Sequence, residues 1–452
     1  MSMPDEFADR AVERFLDPET ERVESQWVSY VSSEAGRRIS EETRGEDPDT
    51  PAEHRSRADR IIANILDEAA RAALAEGRAL LAPDAEASIA AKALAQVTGV
   101  GPLQPLLDDP EIENININGV DAWVRLADGS RRLHAGLFAG ADDVIALVRR
   151  LAAESTSGER RFDPGAPILD LQLPGGERLH TVLEVSPPPS VFVRPPRYTN
   201  SSLRRLEKLG TLDAALVSLF RAAVRARRNM VVTGGTGAGK TTLLRALASE
   251  IPETERLVTI EDVFELGLDK DREAHPDCVA LQARPANIEG VGEITIADLV
   301  RTALRMSPDR VIVGETRGSE TVPLLNAMSQ GNDGSLTTLH AAGSAGAFTK
   351  LGAYAAQSAE RLPLEATASL VASAVHLVVH VSALPTGERR VTSVREVVGA
   401  EGQNVVSNEI YRYSPRQGRL PAAPPSPDTL DVLADHGFDP IALQADTAGW
   451  AR

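Results

Sequence analysis

Short apolar runs alternate with helical patterns through the second half of the chain. The runs MVVT, RLVTI and DRVIV are each followed closely by glycine or acidic residues, and helical patterns begin at Lys240 and Ile296. Near-continuous apolar strands between helices indicate a parallel sheet that is covered on both faces. LVASAVHLVVHVSAL and RRVTSVREVVG are expected to complete this sheet, which gives one domain over residues 199–419.

Residues 85–198 have a different pattern. The β-type runs NININGV and DAWVRLADG are separated by Asp, Gly and Pro signals, and ADDVIALVRRLAAES predicts a helix between strands. This pattern predicts a smaller α/β domain. The proline-crowded stretch EVSPPPSVFVRPPRYTNSS is expected to end it and to connect it to the larger domain, with a hinge near residues 195–202.

The two ends of the chain carry weaker patterns. Residues 1–50 hold 14 acids against 6 arginines and predict a mobile or loosely helical arm, either a solvated tail or a partner-docking segment. Residues 51–81 repeat apolar positions at three- and four-residue spacing, which predicts an amphipathic helix whose stripe faces a core. We group both as an acidic arm and helical region, residues 1–84, and treat 420–452 as a Pro-rich spacer and tail.

Composition narrows the class of protein. A chain of 452 residues predicts two or three domains, and a formal charge of −17 argues against broad attraction to nucleic acid or anionic lipid. The single cysteine, Cys278, excludes an intrachain disulfide and a cysteine-built metal site. No run of 18 uncharged apolar residues occurs and the opening MSMPDEFADR is polar, so we expect a cytoplasmic protein.

The strongest chemical signal follows the run MVVT and fits G-x-x-x-x-G-K-[ST] in a strand-to-helix setting. Glycines let the backbone point several N–H groups at phosphate oxygens, and the next helix adds its positive end. Lys240 would pair with the β and γ phosphates, and the Thr241 hydroxyl would bind Mg²⁺. The predicted ATP-binding residues are Gly234, Gly235, Thr236, Gly237, Ala238, Gly239, Lys240, Thr241 and Thr242.

Carboxylates follow two further apolar runs. RLVTIEDVFEL places Glu261 and Asp262 at a strand end with Glu265 one turn later, and DRVIVGETRG places Glu315 at the end of another strand. Parallel-sheet proteins carry ligand groups at such ends. Phosphoryl transfer to water needs acids that hold the metal and orient the nucleophile, so these residues are candidates for both tasks.

These motifs, with ARPANIEGVGEITIADLVRTALRMSPDRVIVGETRGSE and LLNAMSQGNDGSLTTLHA, resemble the secretion ATPase superfamily of type II and type IV secretion and pilus assembly. Within it, the chain looks most like the tight-adherence (Flp-type) pilus branch. The resemblance covers about residues 95–415. It implies an α/β fold with a RecA-like P-loop core and a central, mostly parallel sheet, preceded by a smaller α/β domain and an N-terminal helical region.

The resemblance also implies roles for single residues. TIEDVFEL corresponds to the family's aspartate box, so Glu261, Asp262 and Glu265 are expected near the γ-phosphate, and which of them polarises water stays open. VIVGE corresponds to an atypical Walker B strand, in which Glu315 acts on metal or water. TTLHA corresponds to the histidine box, in which His340 senses the γ-phosphate. The expected metal ligands are Thr241, Asp262 and Glu315.

Two positions depart from the family pattern. Asn332 stands where the family usually has histidine, and Gln172 stands where it often has an arginine that reaches the nucleotide. The missing arginine leaves a charge clamp to be completed within the chain or across a subunit boundary, a task that suits arginine's planar, permanent charge. The candidates for this clamp are Arg161, Arg178 and Arg194, and Arg284 is a candidate sensor.

The resemblance implies a homohexameric ATPase that uses ATP and Mg²⁺. Partners would be platform proteins of the inner membrane, with this chain peripheral at the cytoplasmic face and no nucleic acid bound. Two alternatives remain open. One is a nucleic-acid motor, which uses the same phosphate cradle but for which the charge of −17 is unfavourable. The other is a nucleotide-dependent structural component with weak hydrolysis, which the departures at Asn332 and Gln172 keep open.

Overall fold

The structure is a computed structural model that describes residues 18–42, 51–126, 128–138, 140–153, 162–173, 175–183, 185–195, 201–286 and 290–443. The chain divides into two compact units. The first lies within residues 1–169 and 179–195, and the second lies within residues 170–178 and 196–452. In the described residues, no helix is long and apolar enough to cross a membrane.

In the described residues, five helices belong to the first unit. They are α1 (Pro18–Glu42), α2 (Pro51–Ala75), α3 (Pro83–Thr98), α4 (Gln104–Asp108) and α5 (Ala141–Ala153), with a 3₁₀ turn at Gly101–Leu103. Helices α1, α2 and α3 share a core in which Val31, Ile62 and Ile89 are buried. The structure therefore corrects the expectation of a mobile or loosely helical arm over residues 18–42, because the apolar stripe of α1 packs on two neighbours. Residues 1–17 and 43–50 lie outside the described residues.

Helix α2 is shorter than the predicted helix over residues 51–81. Gly77 has φ +70°, the left-handed conformation that glycine adopts without steric cost. The N–H of Arg78 donates to Ala73 O at 2.8 Å, and the N–H of Gly77 donates to Leu74 O at 3.2 Å. These bonds occupy carbonyls of the last turn, as at many glycine-terminated helices, so the helix ends at Ala75.

A six-stranded sheet lies largely in the first unit, and residues 170–172 and 178 of two of its strands are grouped with the second unit. Its strands are β1 (Ile112–Asn118), β2 (Asp121–Leu126), β3 (Arg131–His134), β4 (Ile168–Gln172), β5 (Arg178–Val182) and β6 (Ser190–Arg194), in the order β3-β2-β1-β6-β5-β4. Strand β1 pairs antiparallel with β2 and β6. Ile115, Ile117 and Val193 are buried while Asn116 is exposed, the alternation of a strand with one face on a core. The predicted strands and helix of this region are confirmed.

The second unit contains a nine-stranded sheet. Its strands are β7 (Met230–Thr233), β8 (Leu257–Glu261), β9 (Cys278–Gln282), β10 (Arg310–Thr316), β11 (Leu336–Leu339), β12 (Leu377–Ala383), β13 (Arg389–Glu401), β14 (Asn404–Ser414) and β15 (Gly418–Leu420). The spatial order is β15-β14-β13-β12-β7-β11-β10-β8-β9. Every pair from β12 to β9 is parallel, and the pairs from β12 to β15 are antiparallel.

Helices cover both faces of this sheet. They are α6 (Leu203–Lys208), α7 (Ala214–Arg225), α8 (Lys240–Ala248), α9 (Ile296–Ala303), α10 (Thr321–Ser329), α11 (Gly346–Ala355), α12 (Leu364–Ala374) and α13 (Pro427–Ala434). Val232 belongs to one apolar cluster with Phe220, and its neighbour Val231 belongs to another with Val300. Successive residues of β7 thus face opposite cores, which explains the near-continuous apolar runs. The predicted RecA-like α/β class is confirmed.

A buried asparagine joins the starts of three strands at the edge of the sheet where β7 begins. The Asn229 side chain is fully buried, donates to Met328 O and Ala374 O at 2.8 and 2.7 Å, and accepts from the N–H groups of Gly334 and Ser335 at 2.8 and 2.9 Å. Backbone groups that lack a partner in the interior are costly. One side chain directly before β7 therefore pairs four backbone groups, two of them directly before β11 and the other two near the ends of α10 and α12.

We expect Asn229→Ala to lower the free energy of unfolding by about 3 kcal/mol or more, because it leaves several buried backbone groups without partners. Urea denaturation followed by circular dichroism measures this. The matched control is Asn404→Ala on the exposed start of β14, for which a change within about 0.5 kcal/mol is expected. Equal losses in the two variants would contradict the role given to Asn229.

Candidate nucleotide-binding site

The glycine-rich loop between β7 and α8 has a backbone path that side chains would obstruct. A Cβ at Gly234 would lie 2.4 Å from Val381 O on the neighbouring strand β12. Gly237 and Gly239 have φ of +73° and +97°, values that L side chains rarely adopt. Gly235, Thr236 and Gly237 are exposed, whereas Ala238 is buried. The loop therefore has the compact, open-faced form that lets backbone N–H groups point at a phosphate.

Lys240, the first residue of α8, is 8% exposed. Its Nζ donates to Gly235 O at 3.0 Å and lies 3.2 Å from Nε2 and 3.4 Å from Nδ1 of His340. Thr241 and Thr242 follow in the same first turn and are half-buried. The ammonium group is thus held at the mouth of the loop, close to the positive end of a helix that attracts anions.

The ends of β10 and β11 bring a carboxylate to the same place. Glu315 Oε1 lies 2.9 Å from His340 Nε2. Burial and the nearby Lys240 lower the pKa of His340 below its ordinary value, although Glu315 opposes the shift. A neutral imidazole that donates from Nε2 to Glu315 can accept at Nδ1. Lys240, His340 and Glu315 therefore form a connected chain of polar groups.

Glu261, the last residue of β8, has a different environment. Its side chain is 4% exposed and accepts from the N–H groups of Glu265 and Leu266, both at 3.0 Å. Burial raises its pKa to about 7 in spite of these two bonds. A Cβ at Gly314 would lie 3.0 Å from Glu261 Cγ. The Glu261 side chain thus fills the space beside β10 where a side chain at position 314 would otherwise stand.

Arg317 is a charged residue of this edge that the motifs did not single out. Its guanidinium lies 2.9 Å from Glu315 Oε2 and 3.1 Å from Asp262 Oδ2. Burial alone would raise the pKa of Glu315, but the bond from Arg317 and the charges of Arg317, His340 and Lys240 outweigh it, so that pKa is lowered. The available sequence signal was an arginine two residues after a predicted strand-end acid.

Arg389 is a second residue that the motifs missed. It begins β13, and its Nε donates to Gly237 O of the glycine-rich loop at 3.3 Å. A Cβ at Gly239 would lie 3.9 Å from Arg389 Cγ. No motif marked this arginine, because β13 reaches the loop only through its pairing with β12.

Of the three arginines predicted as candidates for the charge clamp, the structure describes two, and their surroundings differ. Within the second unit, Arg178 Nη1 lies 2.8 Å from Glu265 Oε2, and the Gln172 amide donates to Phe264 O at 2.7 Å. Arg194 is the exposed last residue of β6 in the first unit. Arg161 lies outside the described residues.

Two other residues of the sequence analysis, Arg284 and Asn332, contact backbone carbonyls. The Nε of Arg284 donates to Gly292 O at 2.9 Å, and Arg284 forms an isolated β-bridge with Ile294, so its contacts are local. The Asn332 amide donates to Pro308 O at 2.7 Å and so links the segment before β11 to the segment before β10.

A magnesium ion fits this donor set. The residues that the structure describes contain no group of three or more His, Cys, Asp or Glu side chains that could hold a metal. Magnesium is usually bound through one or two carboxylates together with substrate phosphates and water, without an all-protein cage. The hydroxyl of Thr241 and the carboxylates of Asp262 and Glu315 supply oxygen donors of that kind.

Comparison with known proteins decides the family. The model of the type II/IV secretion system protein family matches residues 100–409. The chain belongs to this family. A putative conjugal transfer protein of Mycobacterium tuberculosis strain H37Rv is 38% identical over 320 residues, which cover 68% of this chain and 87% of the relative. The type IV secretion system protein VirB11 of Brucella abortus is 33% identical over 319 residues, 62% and 83% of the two chains.

A solved structure is also similar. The VirB11 ATPase of Brucella suis, crystallised with sulphate, shares 30% identity, with a TM-score of 0.36 and coverage of 65% of this chain and 91% of the other. The family assignment rests on the sequence comparisons. The predicted superfamily, and with it the predicted ATPase class, is confirmed.

The raised pKa of Glu261 predicts a pH-dependent stability. The fold holds this proton more tightly than the unfolded chain does between pH 4.5, the ordinary pKa, and about 7. That stabilising contribution is complete below pH 4.5 and is lost as the pH rises through 7. We expect Glu261→Gln, which cannot ionise, to gain up to about 3 kcal/mol relative to the parent chain on going from pH 4.5 to pH 8.

Urea unfolding in magnesium-free buffer at several pH values measures this difference. The control is Glu365→Gln, which makes the same substitution at an exposed residue of α12. A flat profile for Glu261→Gln would show that Glu261 ionises as readily in the fold as in water.

Proposed function

We propose that this chain is a hexameric, ATP-hydrolysing motor that powers assembly or retraction of a tight-adherence or type IV-like pilus, or a related secretion system. The observation that supports this most strongly is the chain of contacts from Lys240 through His340 to Glu315 beside the glycine-rich loop. It joins the group that holds phosphate to the group that would act on metal or water. Family membership supports the secretion role.

Each predicted residue has a task in this proposal. The loop amides and Lys240 bind the triphosphate, and Thr241, Asp262 and Glu315 hold Mg²⁺, which would neutralise phosphate charge. An ionised Glu315 orients the attacking water, in agreement with its lowered pKa. Glu261, whose pKa is about 7, is suited to proton transfer near neutral pH. Glu265 holds Arg178 close to these acids as a candidate for the charge clamp.

ATP binding and hydrolysis can drive motion because they are coupled to a conformational equilibrium. A ligand shifts a conformational equilibrium only through its different affinity for two states. His340 contacts both Lys240 and Glu315, so it is placed to respond when a γ-phosphate arrives or leaves. We propose that the motion is passed to platform proteins of the inner membrane, with the chain docked at the cytoplasmic face.

The domain boundaries of this proposal are residues 85–198 for the smaller α/β domain and 199–419 for the ATPase domain, with 1–84 and 420–452 as flanking regions. The proposed hinge, residues 195–202, falls largely on residues 196–200, outside the described part of the chain. A hinge between domains is a common way to convert nucleotide state into movement.

We expect purified protein to hydrolyse ATP and both Lys240→Ala and Glu315→Gln to lose activity by about 100-fold or more, because each removes a charge that acts on the reacting phosphate or water. Steady-state release of phosphate measures this. The matched controls are Lys208→Ala and Glu365→Gln, at exposed positions of α6 and α12, for which rates close to the parent are expected. Equal rates in the parent and all variants would remove the enzyme proposal.

Assembly and partner class need a separate test. We expect light scattering to give a hexamer when a non-hydrolysable ATP analogue is bound, and crosslinking in membranes to recover integral inner-membrane proteins. A strict monomer under all conditions would contradict the hexamer. ATP turnover that is stimulated by DNA, with DNA-bound proteins recovered on crosslinking, would favour the nucleic-acid motor.

A further inference from the structure

Arg317 connects the ends of two strands. One guanidinium nitrogen, Nη2, contacts Glu315 at the end of β10, and the other, Nη1, contacts Asp262 directly after β8, at 2.9 and 3.1 Å. The second oxygen of Glu315 faces His340 at 2.9 Å. Both carboxylate oxygens of Glu315 therefore have a partner, which restricts rotation of the carboxylate.

The turn that carries Arg317 is itself held in place. The buried carboxylate of Glu320, 7% exposed, accepts from the backbone N–H groups of Arg317 and Gly318, the latter at 2.9 Å. The Thr321 hydroxyl donates to Gly318 O at 2.7 Å. The start of the arginine side chain is thus fixed by the buried beginning of α10, and only its head extends to the acids.

We propose that Arg317 is a positioning residue for ATP hydrolysis, which aligns the Glu315 carboxylate between the arginine and His340. This inference rests on the proposed function. Arginine suits the task because its planar fork offers several donors in fixed directions, so two acids on separate strand ends are held at once. A lysine supplies the charge without the fork.

The exposure of the three side chains argues against a mainly structural role. Arg317 is 53% exposed, Asp262 41% and Glu315 22%. Ion pairs that are open to solvent contribute little to folding stability. A bridge that adds little to stability, yet contacts the acid proposed to orient water, is expected to affect turnover more than unfolding.

The test compares Arg317→Ala and Arg317→Lys with the parent chain in steady-state ATP hydrolysis at saturating Mg²⁺. We expect Arg317→Ala to lower kcat by about 10- to 100-fold, the usual effect of removing a group that orients an active-site residue. KM for ATP is expected to stay within about twofold, because the contacts of the phosphate loop are unchanged. Arg317→Lys is expected to recover part of the lost kcat.

A double variant shows whether Arg317 acts through Glu315. In a Glu315→Gln background, Arg317→Ala is expected to cause no further loss of the residual turnover, because residues that act as a unit are not additive. The matched control is Arg301→Ala, which removes an exposed arginine that pairs with Glu360 at 3.2 Å, and its kcat is expected to equal the parent's. The thermal midpoints of all variants are expected to lie within about 2 °C of their backgrounds.

Three results would overturn the proposal: an unchanged kcat in Arg317→Ala, a raised KM with kcat intact, or a loss in the Glu315→Gln background as large as in the parent. The second would make Arg317 a substrate-binding residue, and the third would mean that it acts independently of Glu315. The proposed function is tested separately in the same assay by comparing the parent with Lys240→Ala. Equal rates of ATP hydrolysis in these two proteins would contradict it.

Discussion

The parallel hydrogen bonding of β7, β11, β10 and β8 is the constraint on which the site depends. Strands that run in one direction and pair side by side end at one edge of the sheet. The glycine-rich loop follows β7, His340 follows β11, Glu315 lies near the end of β10, and Glu261 ends β8. Residues up to 106 positions apart in sequence thus reach one place. Their convergence requires no long side chain or special loop, only the register of the ladder.

The surroundings of two carboxylates at that edge shift their pKa values in opposite directions. Glu261 lies at the end of β8, where its carboxylate accepts from two backbone N–H groups, and burial raises its pKa to about 7. Glu315 is also partly buried, but Arg317, His340 and Lys240 outweigh that effect, and its pKa is lowered. Pairs of titratable groups whose pKa values are moved apart are typical of active sites, since one can stay ionised while the other exchanges a proton.

Two positions of the site require glycine because a side chain there would lie too close to a neighbouring group. At Gly234 a side chain would meet a carbonyl of β12, and at Gly314 it would press on Glu261. The first glycine keeps the loop tight against the sheet, and the second admits an acid from the adjacent strand. A side chain at position 314 and the observed Glu261 would compete for the same volume, which gives a steric reason for glycine at this position.

The amino-acid sequence by itself determined most of the elements, the α/β class and the glycine-rich loop between a strand and a helix. These depend on the spacing of residues that are close in sequence, such as the apolar run before Gly234 and the lysine at the start of a helix. Such spacing can be recognised without knowledge of the fold. It misjudged the packing of residues 18–42, which form a helix that shares a core with two other helices, and the structure of residues 76–81, where the φ of Gly77 ends α2 early. It also passed over Arg389, which no local motif marks.

Only the tertiary structure decided which charges meet. Arg317 joins Glu315, two residues earlier, to Asp262, directly after another strand, and Arg178 reaches Glu265 across 87 positions. The sequence does not show whether a carboxylate is buried or paired with a cation. Burial raises the pKa of a carboxylate, whereas a nearby guanidinium lowers it. The sequence therefore specified which acids are present at the strand ends, and the packing around them determined how each one ionises.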